Sequence, residues 1–199
     1  MDIFLQQLIN GLVLGSIYAL VALGYTMVYG ILELINFAHG EITMIGAMVS
    51  LAVINLLVGI SLDLPGVMIV FIGVLTAIPA CMALGFVIER VAYRPLRHAP
   101  RLAPLITAIG VSIVLQNVAM LIWGRQYISF PPIIPVQRYE ILGATISNLQ
   151  IFIFIFSGIL MAGLIALVHK TRLGRAMRAT AQSPQAASLM GVNVNNIIA

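Results

Sequence analysis

Long uncharged apolar segments alternate with short polar ones along most of this chain. A bilayer core is crossed by about 20 apolar residues of helix. Segments of that kind lie at residues 5–29, 42–62, 64–88 and 102–123 and within 141–168. Each should be helical, because a backbone group without a hydrogen-bond partner is costly in lipid. The pattern therefore predicts five membrane-spanning helices.

The composition agrees with this pattern and excludes an ordinary soluble domain. The chain has 199 residues, of which 61% are hydrophobic and only 8% charged, whereas a soluble domain is about 25% charged. This small number of charged side chains could not cover the surface of the protein in water. The surplus apolar surface must therefore face lipid. The predicted fold class is an all-α integral membrane protein, a polytopic transmembrane helix bundle. The first apolar segment should remain as a helix, because no basic signal-peptide region precedes it.

Positive charges are concentrated in two segments and predict the orientation. Residues 89–101 hold four arginines against Glu89, a net charge of +3, and residues 170–178 hold one lysine and three arginines, a net charge of +4. The whole chain carries only +4, so the remainder sums to −3. By the positive-inside rule both segments belong in the cytoplasm. Two predicted spans separate them, and an even number of crossings returns the chain to the same side, so the two placements agree. Residues 124–140 then lie outside, and counting back places the amino terminus outside as well.

Residues 30–41 place polar side chains between two uncharged spans. They include two carboxylates, an amide and an imidazole. An ionised side chain at mid-bilayer costs about 2.5 to 3.5 kcal/mol, so these groups must lie at the interface or line a wet cavity. One interpretation is an interfacial loop, with a helix that starts at Asn36. The one we favour is a broken helix whose polar groups line a solute path, with Asn36, Phe37, His39 and Glu41 as candidate residues.

Other polar candidates lie within the spans. Tyr25 is on the first span, and Gln116 with Asn117 lies well inside the fourth, where lipid offers no hydrogen-bond partner. An interhelical hydrogen bond and a role in a solute path explain this pair equally well. The single cysteine, Cys81, lies in an apolar run and should be a small buried hydrophobic residue. We find no nucleophile–base pair, metal-ligand cluster or phosphate-binding loop in the sequence, so we expect no enzyme, no metal and no cofactor.

The segment after the fifth span is basic and rich in alanine, and it carries helix signals. Gly174 should release the chain from the span, and residues 175–182 can form a short helix. Ser183 should be the N-cap of a second helix, with Pro184 at its first position and Gly191 as its left-handed stop. The residues alone fit equally well a helix on the lipid surface and a docking element for another protein.

Several motifs resemble one family of membrane proteins. Gln185-Ala-Ala-Ser-Leu-Met-Gly191 resembles the Glu-Ala-Ala-x-x-x-Gly loop by which permeases of ATP-binding-cassette (ABC) importers hold their ATPase, with Gln185 in place of glutamate. Ile-Asn-Phe-Ala-His-Gly-Glu at residues 35–41 resembles branched-chain amino acid permeases of the type called the H permease. Four further stretches also resemble these permeases, at residues 24–30, 88–97, 108–117 and 172–178. The resemblance covers nearly the whole chain.

The resemblance implies a type II ABC importer-like permease domain over residues 1–199, with residues 172–191 as a cytoplasmic coupling segment. The residues implied to contact the ATPase are Arg172, Arg175, Arg178, Gln185, Ala186, Ala187 and Gly191. Members of the family continue with further spans, so the chain should be a fragment, truncated at the carboxy terminus.

The function implied is that of half the translocation path for branched-chain amino acids across a bacterial or archaeal plasma membrane. The implied partners are a second permease subunit, identical or different, cytoplasmic ATP-binding subunits that hydrolyse the ATP, an extracytoplasmic solute-binding protein and the lipid bilayer, but no nucleic acid. One alternative is an ABC permease for urea, short amides or sugars. A remote alternative is a secondary carrier or channel, although no predicted span has a charge at mid-depth.

Overall fold

The computed structural model describes residues 2–32, 36–60, 65–96, 99–100, 102–141 and 143–198. The chain forms two compact units: the first comprises Met1–Glu33 with Pro135–Ile198, and the second comprises Leu34–Ile134. The single domain expected over residues 1–199 stays a prediction.

Helices dominate both units. The α-helices of the described residues are α1 (Asp2–Leu32), α2 (His39–Gly59), α3 (Gly66–Ile88), α4 (Leu102–Trp123), α5 (Asn148–Lys170), α6 (Arg172–Gln182), α7 (Pro184–Leu189) and α8 (Val194–Ile198). After α3 the chain continues through a π-helical segment, Glu89–Tyr93, and a 3-10 turn, Arg94–Leu96. Strands β1 (Arg138–Ile141) and β2 (Ala144–Ser147) form an antiparallel hairpin.

Five of these helices, α1 to α5, are long and apolar enough to cross a membrane. The predicted five-span membrane bundle is therefore confirmed. The fourth span has the predicted bounds, whereas α2 begins at His39, before the predicted residue 42. Two differences concern the start of the fifth span. Ile141 and Ala144–Ser147 belong to the hairpin, which the all-α prediction omitted, and α5 begins at Asn148, where Ser147 and Gln150 form a capping box.

In the first unit, α1 and α5 run side by side in the same direction. Near their starts, Gln150 Nε2 donates to Asn10 Oδ1 at 3.1 Å. Further along, Ser157 Oγ lies 3.1 Å from Ser16 Oγ. Because these contacts follow the same order along both helices, the amino terminus lies on the side of the hairpin and of the start of α5. The charge pattern predicts that this side is outside.

In the second unit, α2 and α3 pack closely and antiparallel. A Cβ atom on Gly73 would lie 2.9 Å from Ile54 Cγ1, and one on Gly46 would lie 2.6 Å from Cys81 Sγ. Small residues let helix backbones approach closely in this way. Cys81 is half-buried, and its Sγ lies 3.6 Å from the carbonyl oxygen of Ile42. It is therefore a small packing residue of this interface.

A small apolar core brings three elements of the second unit together. Ala38, just before α2, packs with Ile88 at the end of α3 and Leu115 in α4, and all three are buried. This cluster fixes the first turn of α2 beside α4 and the π-helical segment. The polar residues described next lie around it.

Candidate functional site

The start of α2 lies level with the middle of α4. Glu41, in the first turn of α2, accepts a hydrogen bond from Ser112 Oγ at 3.0 Å and another from Gln116 Nε2 at 2.7 Å. Ser112 stands close to the midpoint of the 22 residues of α4. If α4 crosses the bilayer, the Glu41 carboxylate is therefore held beside the middle of that span. This position favours the broken helix over the interfacial loop; residues 33–35, including Glu33, lie outside the described residues.

Asn36 organises the turn that precedes α2. Its Oδ1 accepts from the Ala38 N–H at 3.1 Å and from the Tyr93 hydroxyl at 2.6 Å. Its backbone oxygen accepts from the His39 N–H at 3.1 Å. The helix start at Asn36, which belonged to the interfacial-loop interpretation, is therefore wrong, since the helix begins at His39 and Asn36 ties the preceding turn to the π-helical segment. Side chains that accept from nearby backbone N–H groups favour such turns over helix.

The predicted solute-path residues are only partly brought together. Asn36, His39, Glu41 and Gln116 lie within the second unit around the start of α2, and Phe37 is 41% exposed beside them. Asn117 Nδ2 donates to Ile113 O within α4 at 2.8 Å, so this side chain makes a local hydrogen bond rather than an interhelical one. Tyr25 is half-buried on α1 and belongs to the first unit.

Sequence reasoning missed two members of this cluster, Ser112 and Tyr93. Ser112 precedes Gln116 by four residues, so both side chains lie on one face of α4. That spacing could have identified Ser112 as a second donor to the group that Gln116 contacts, which is the Glu41 carboxylate. Tyr93 lies in a stretch interpreted as a cytoplasmic loop, and nothing in its spacing indicates a contact with Asn36.

The junction between α5 and α6 differs from the expectation for Gly174. The helix α5 ends at Lys170, and the next residue, Thr171, has an extended backbone (φ −91°, ψ 162°) that turns the chain. Thr171 Oγ1 accepts from the Gly174 N–H at 3.0 Å. Gly174 is buried in the first turn of α6, so it does not release the chain. A Cβ atom there would collide with the carbonyl oxygens of Leu167 and Val168. Gly174 therefore allows α6 to pack directly against the end of α5.

The helix signals of the next segment are confirmed. Ser183 is the N-cap of α7 and accepts from the Ala186 N–H at 3.2 Å, and Pro184 is the first residue of the helix. Gly191 has a φ of +84°, and the N–H of Val192 donates back to the Ala187 carbonyl oxygen at 3.0 Å. Together these bonds form a glycine stop of the Schellman kind.

The predicted ATPase-contact residues occupy different environments. Exposed side chains are those of Arg172, Arg175, Arg178, Gln185 and Ala186, and Gly191 is exposed as well. Ala187 is only 2% exposed, so it packs inside the segment. Arg178 folds back on the end of α5, where its Nη1 lies 3.2 Å from His169 Nδ1 and its Nη2 donates to His169 O at 3.5 Å. A cation near the carboxy-terminal end of a helix is stabilising, so Arg178 also braces this junction.

The coupling segment also presents apolar side chains that the sequence analysis did not select. Leu189 is 90% exposed and Met190 is 84% exposed. They follow one another at the end of α7.

The chain matches the family described as branched-chain amino acid transport system / permease component over residues 7–199. It is 47% identical over 201 residues to the high-affinity branched-chain amino acid transport system permease protein BraD of Pseudomonas aeruginosa. It is 45% identical over 200 residues to the permease protein LivH of Escherichia coli K12. Each alignment covers 98% of this chain and 65% of the relative, so the chain spans about two thirds of the length of these proteins.

A more distant relative comes from an archaeon. The probable branched-chain amino acid transport permease protein LivH of Methanocaldococcus jannaschii is 28% identical over 206 residues, 97% of this chain and 60% of the relative. No solved structure matches the chain. The match over almost every residue and the five membrane-spanning helices lead to one conclusion: the chain belongs to the family of permease components of branched-chain amino acid transport systems.

Proposed function

We propose that the chain is the major part of a permease subunit of an ABC importer, which forms half of a translocation path for branched-chain amino acids. The observation that carries this proposal is the 47% identity to a permease of a high-affinity branched-chain amino acid transport system over 98% of the chain. The chain is then a transport subunit, and a separate subunit hydrolyses the ATP.

The start of α2 supports a solute path in this part of the chain. Polar side chains near the middle of a span are costly in lipid, so they face protein or water. Glu41 is held by two donors and only half-buried, and Phe37 beside it is exposed. We therefore assign Asn36, Phe37, His39, Glu41 and Gln116 to the path. Tyr25 and Asn117 remain predicted path residues.

The coupling segment supports a partner at the cytoplasmic end of α5. In this proposal the ATP-binding subunit contacts the exposed face formed by Arg172, Arg175, Gln185 and Ala186, and the Gly191 stop holds α7 in place for that contact. A movement of α6 passes directly to α5, because the two helices meet without an intervening loop. Rigid-body motion of this kind can open and close a path. A second permease subunit and an extracytoplasmic solute-binding protein complete the proposed assembly.

Uptake in cells tests the substrate class. The permease at the full length of its relatives is expressed with its proposed partner subunits in a strain that cannot import branched-chain amino acids. Uptake of labelled leucine is then measured. We expect ATP-dependent uptake that isoleucine and valine inhibit and that urea and ribose do not. Inhibition by urea or ribose instead would support the alternative permease. Uptake that persists without ATP would contradict the importer.

Co-purification tests the coupling segment. The double variant Arg175→Glu with Gly191→Pro should abolish co-purification of the ATP-binding subunit, because it reverses an exposed charge and forbids the left-handed stop (φ +84°). The matched control is Arg138→Glu, an exposed arginine on the hairpin at the other end of α5. Unchanged co-purification of the double variant would contradict this assignment of the ATPase contact.

A further inference from the structure

Two hydrogen-bonded contacts, from different elements, hold the start of α2. On one side, Asn36 Oδ1 accepts from the Tyr93 hydroxyl at 2.6 Å. On the other side, Glu41 accepts from Ser112 Oγ at 3.0 Å, next to the bond from Gln116. The residues joined are 57 apart in the chain for the first contact and 71 apart for the second. The position of this turn is therefore set by tertiary contacts in addition to the local helix signals.

The contact from Tyr93 depends on the π-helical form of Glu89–Tyr93. A π-helical turn holds one residue more than an α-helical turn. With 3.6 residues per α-helical turn, one residue corresponds to a rotation of about 100°. If this segment were α-helical, the Tyr93 side chain would point about 100° away from its present direction and would lose Asn36. The π-helical form and the hydrogen bond to Asn36 therefore support each other.

The same segment is continuous with basic residues predicted to face the cytoplasm. Arg90 lies in the π-helical segment with its guanidinium 5.8 Å from the centre of the Phe86 ring, and Arg94 follows Tyr93 directly. A movement of these basic residues would be transmitted to the start of α2 by the hydrogen bond from the Tyr93 hydroxyl to Asn36.

We propose that Tyr93 and Ser112 are positioning residues of the solute path. They hold the first turn of α2 against the middle of α4 and the π-helical segment, and Tyr93 connects this turn with the basic segment after α3. Tyr93 acts through Asn36 and Ser112 acts through Glu41. The proposal deepens the function proposed above and rests on it for its role in transport, but the physical contact can be tested separately.

The chain offers a direct readout of this contact, because Cys81 is its single cysteine. In a Cys81→Ala background, Ala38→Cys places one thiol at a buried position in the turn that Asn36 organises, so a reagent reaches it only when the turn opens. The variant Tyr93→Phe removes only the hydroxyl and keeps the ring. A hydrogen bond is worth about 0.5 to 1.5 kcal/mol net, and 1.4 kcal/mol corresponds to a factor of ten. We therefore expect Tyr93→Phe to speed labelling of this thiol by a water-soluble maleimide roughly three- to tenfold.

The matched control removes a similar hydroxyl elsewhere. Tyr139 donates to Gln137 Oε1 at 2.9 Å on the hairpin of the first unit, so Tyr139→Phe loses the same kind of bond. It should leave labelling at position 38 unchanged. If Ala38→Cys is not retained in the membrane, Ile42→Cys, which is half-buried against the same core, serves instead. Equal labelling rates with Tyr93 and with Tyr93→Phe would overturn the proposal.

Uptake then tests the role in transport. Tyr93→Phe and Ser112→Ala should each lower the maximal rate of leucine uptake roughly three- to tenfold and leave the half-saturating concentration unchanged, because recognition rests with the binding protein. The effects of Tyr93→Phe and Asn36→Ala should be less than additive, since the two residues share one bond, whereas Tyr139→Phe and Asn36→Ala should be additive. Additive effects of Tyr93→Phe and Asn36→Ala would contradict the shared contact. Faster labelling together with no leucine uptake by the unmodified assembly would contradict the proposed function and keep the positioning role.

Discussion

Gly174 provides the sharpest test of how the coupling segment is attached to α5. The glycine is buried in the first turn of α6, and a Cβ atom there would collide with the carbonyl oxygens of Leu167 and Val168. These are backbone atoms of the last turns of α5, so no side-chain rotation can make room for a methyl group. Gly174→Ala should therefore push α6 away from the end of α5.

The magnitude follows from two opposing effects. Adding a methyl group to a tightly packed site costs about 1 to 3 kcal/mol, and the upper end applies because the obstruction is backbone. Alanine is a better helix former than glycine by about 1 kcal/mol. The net destabilisation should be about 2 kcal/mol. At about 2 to 4 °C per kcal/mol for a chain of this size, the apparent melting temperature should fall by about 4 to 8 °C.

The assay is thermal unfolding of the detergent-purified protein, followed by the fraction that stays monodisperse after heating. The matched control is Gly163→Ala in α5, where a Cβ atom would meet no atom within 4 Å. This control should melt at the same temperature as the unmodified protein or slightly higher, because only the helix-forming effect remains. If Gly174→Ala melted with Gly163→Ala, the close approach of α6 to α5 would be refuted.

Two further predictions concern serine side chains that hold helices in place. Ser157→Ala should lower the apparent melting temperature by about 2 to 4 °C, because the buried hydroxyl loses its contact with Ser16 Oγ and its bond to the Ile153 carbonyl oxygen, together worth about 1 kcal/mol; no change would mean that this hydroxyl does not hold α1 to α5. Ser183→Ala should destabilise α7 by about 1 kcal/mol through loss of its N-cap bond to the Ala186 N–H. Limited proteolysis should then cleave residues 183–190 faster, and an unchanged cleavage rate would contradict the capping role.

Much of the architecture could be predicted from the sequence because its signals are local. The fourth span has the predicted bounds, since residues 102–123 carry no charge and lie between Arg101 and Arg125. The stop after α7 was also predicted, because a cap serine, a proline and a glycine at the right spacing act on the backbone next to them. The hairpin was missed, because β1 and β2 are only four residues each and follow a proline-rich stretch.

The sequence by itself determined which segments enter the membrane and which polar residues lie between them, since both follow from the free energy of placing side chains in lipid. Only the tertiary structure decided which polar groups meet. Glu41 and Gln116 are separated by 75 residues, and the bond between Asn36 and Tyr93 requires a π-helical turn that no residue pattern indicates. Gly174 shows the same limit, because its neighbours are the carbonyl oxygens of another helix. Local spacing records the period of a helix, whereas contacts between helices depend on how their faces pack together.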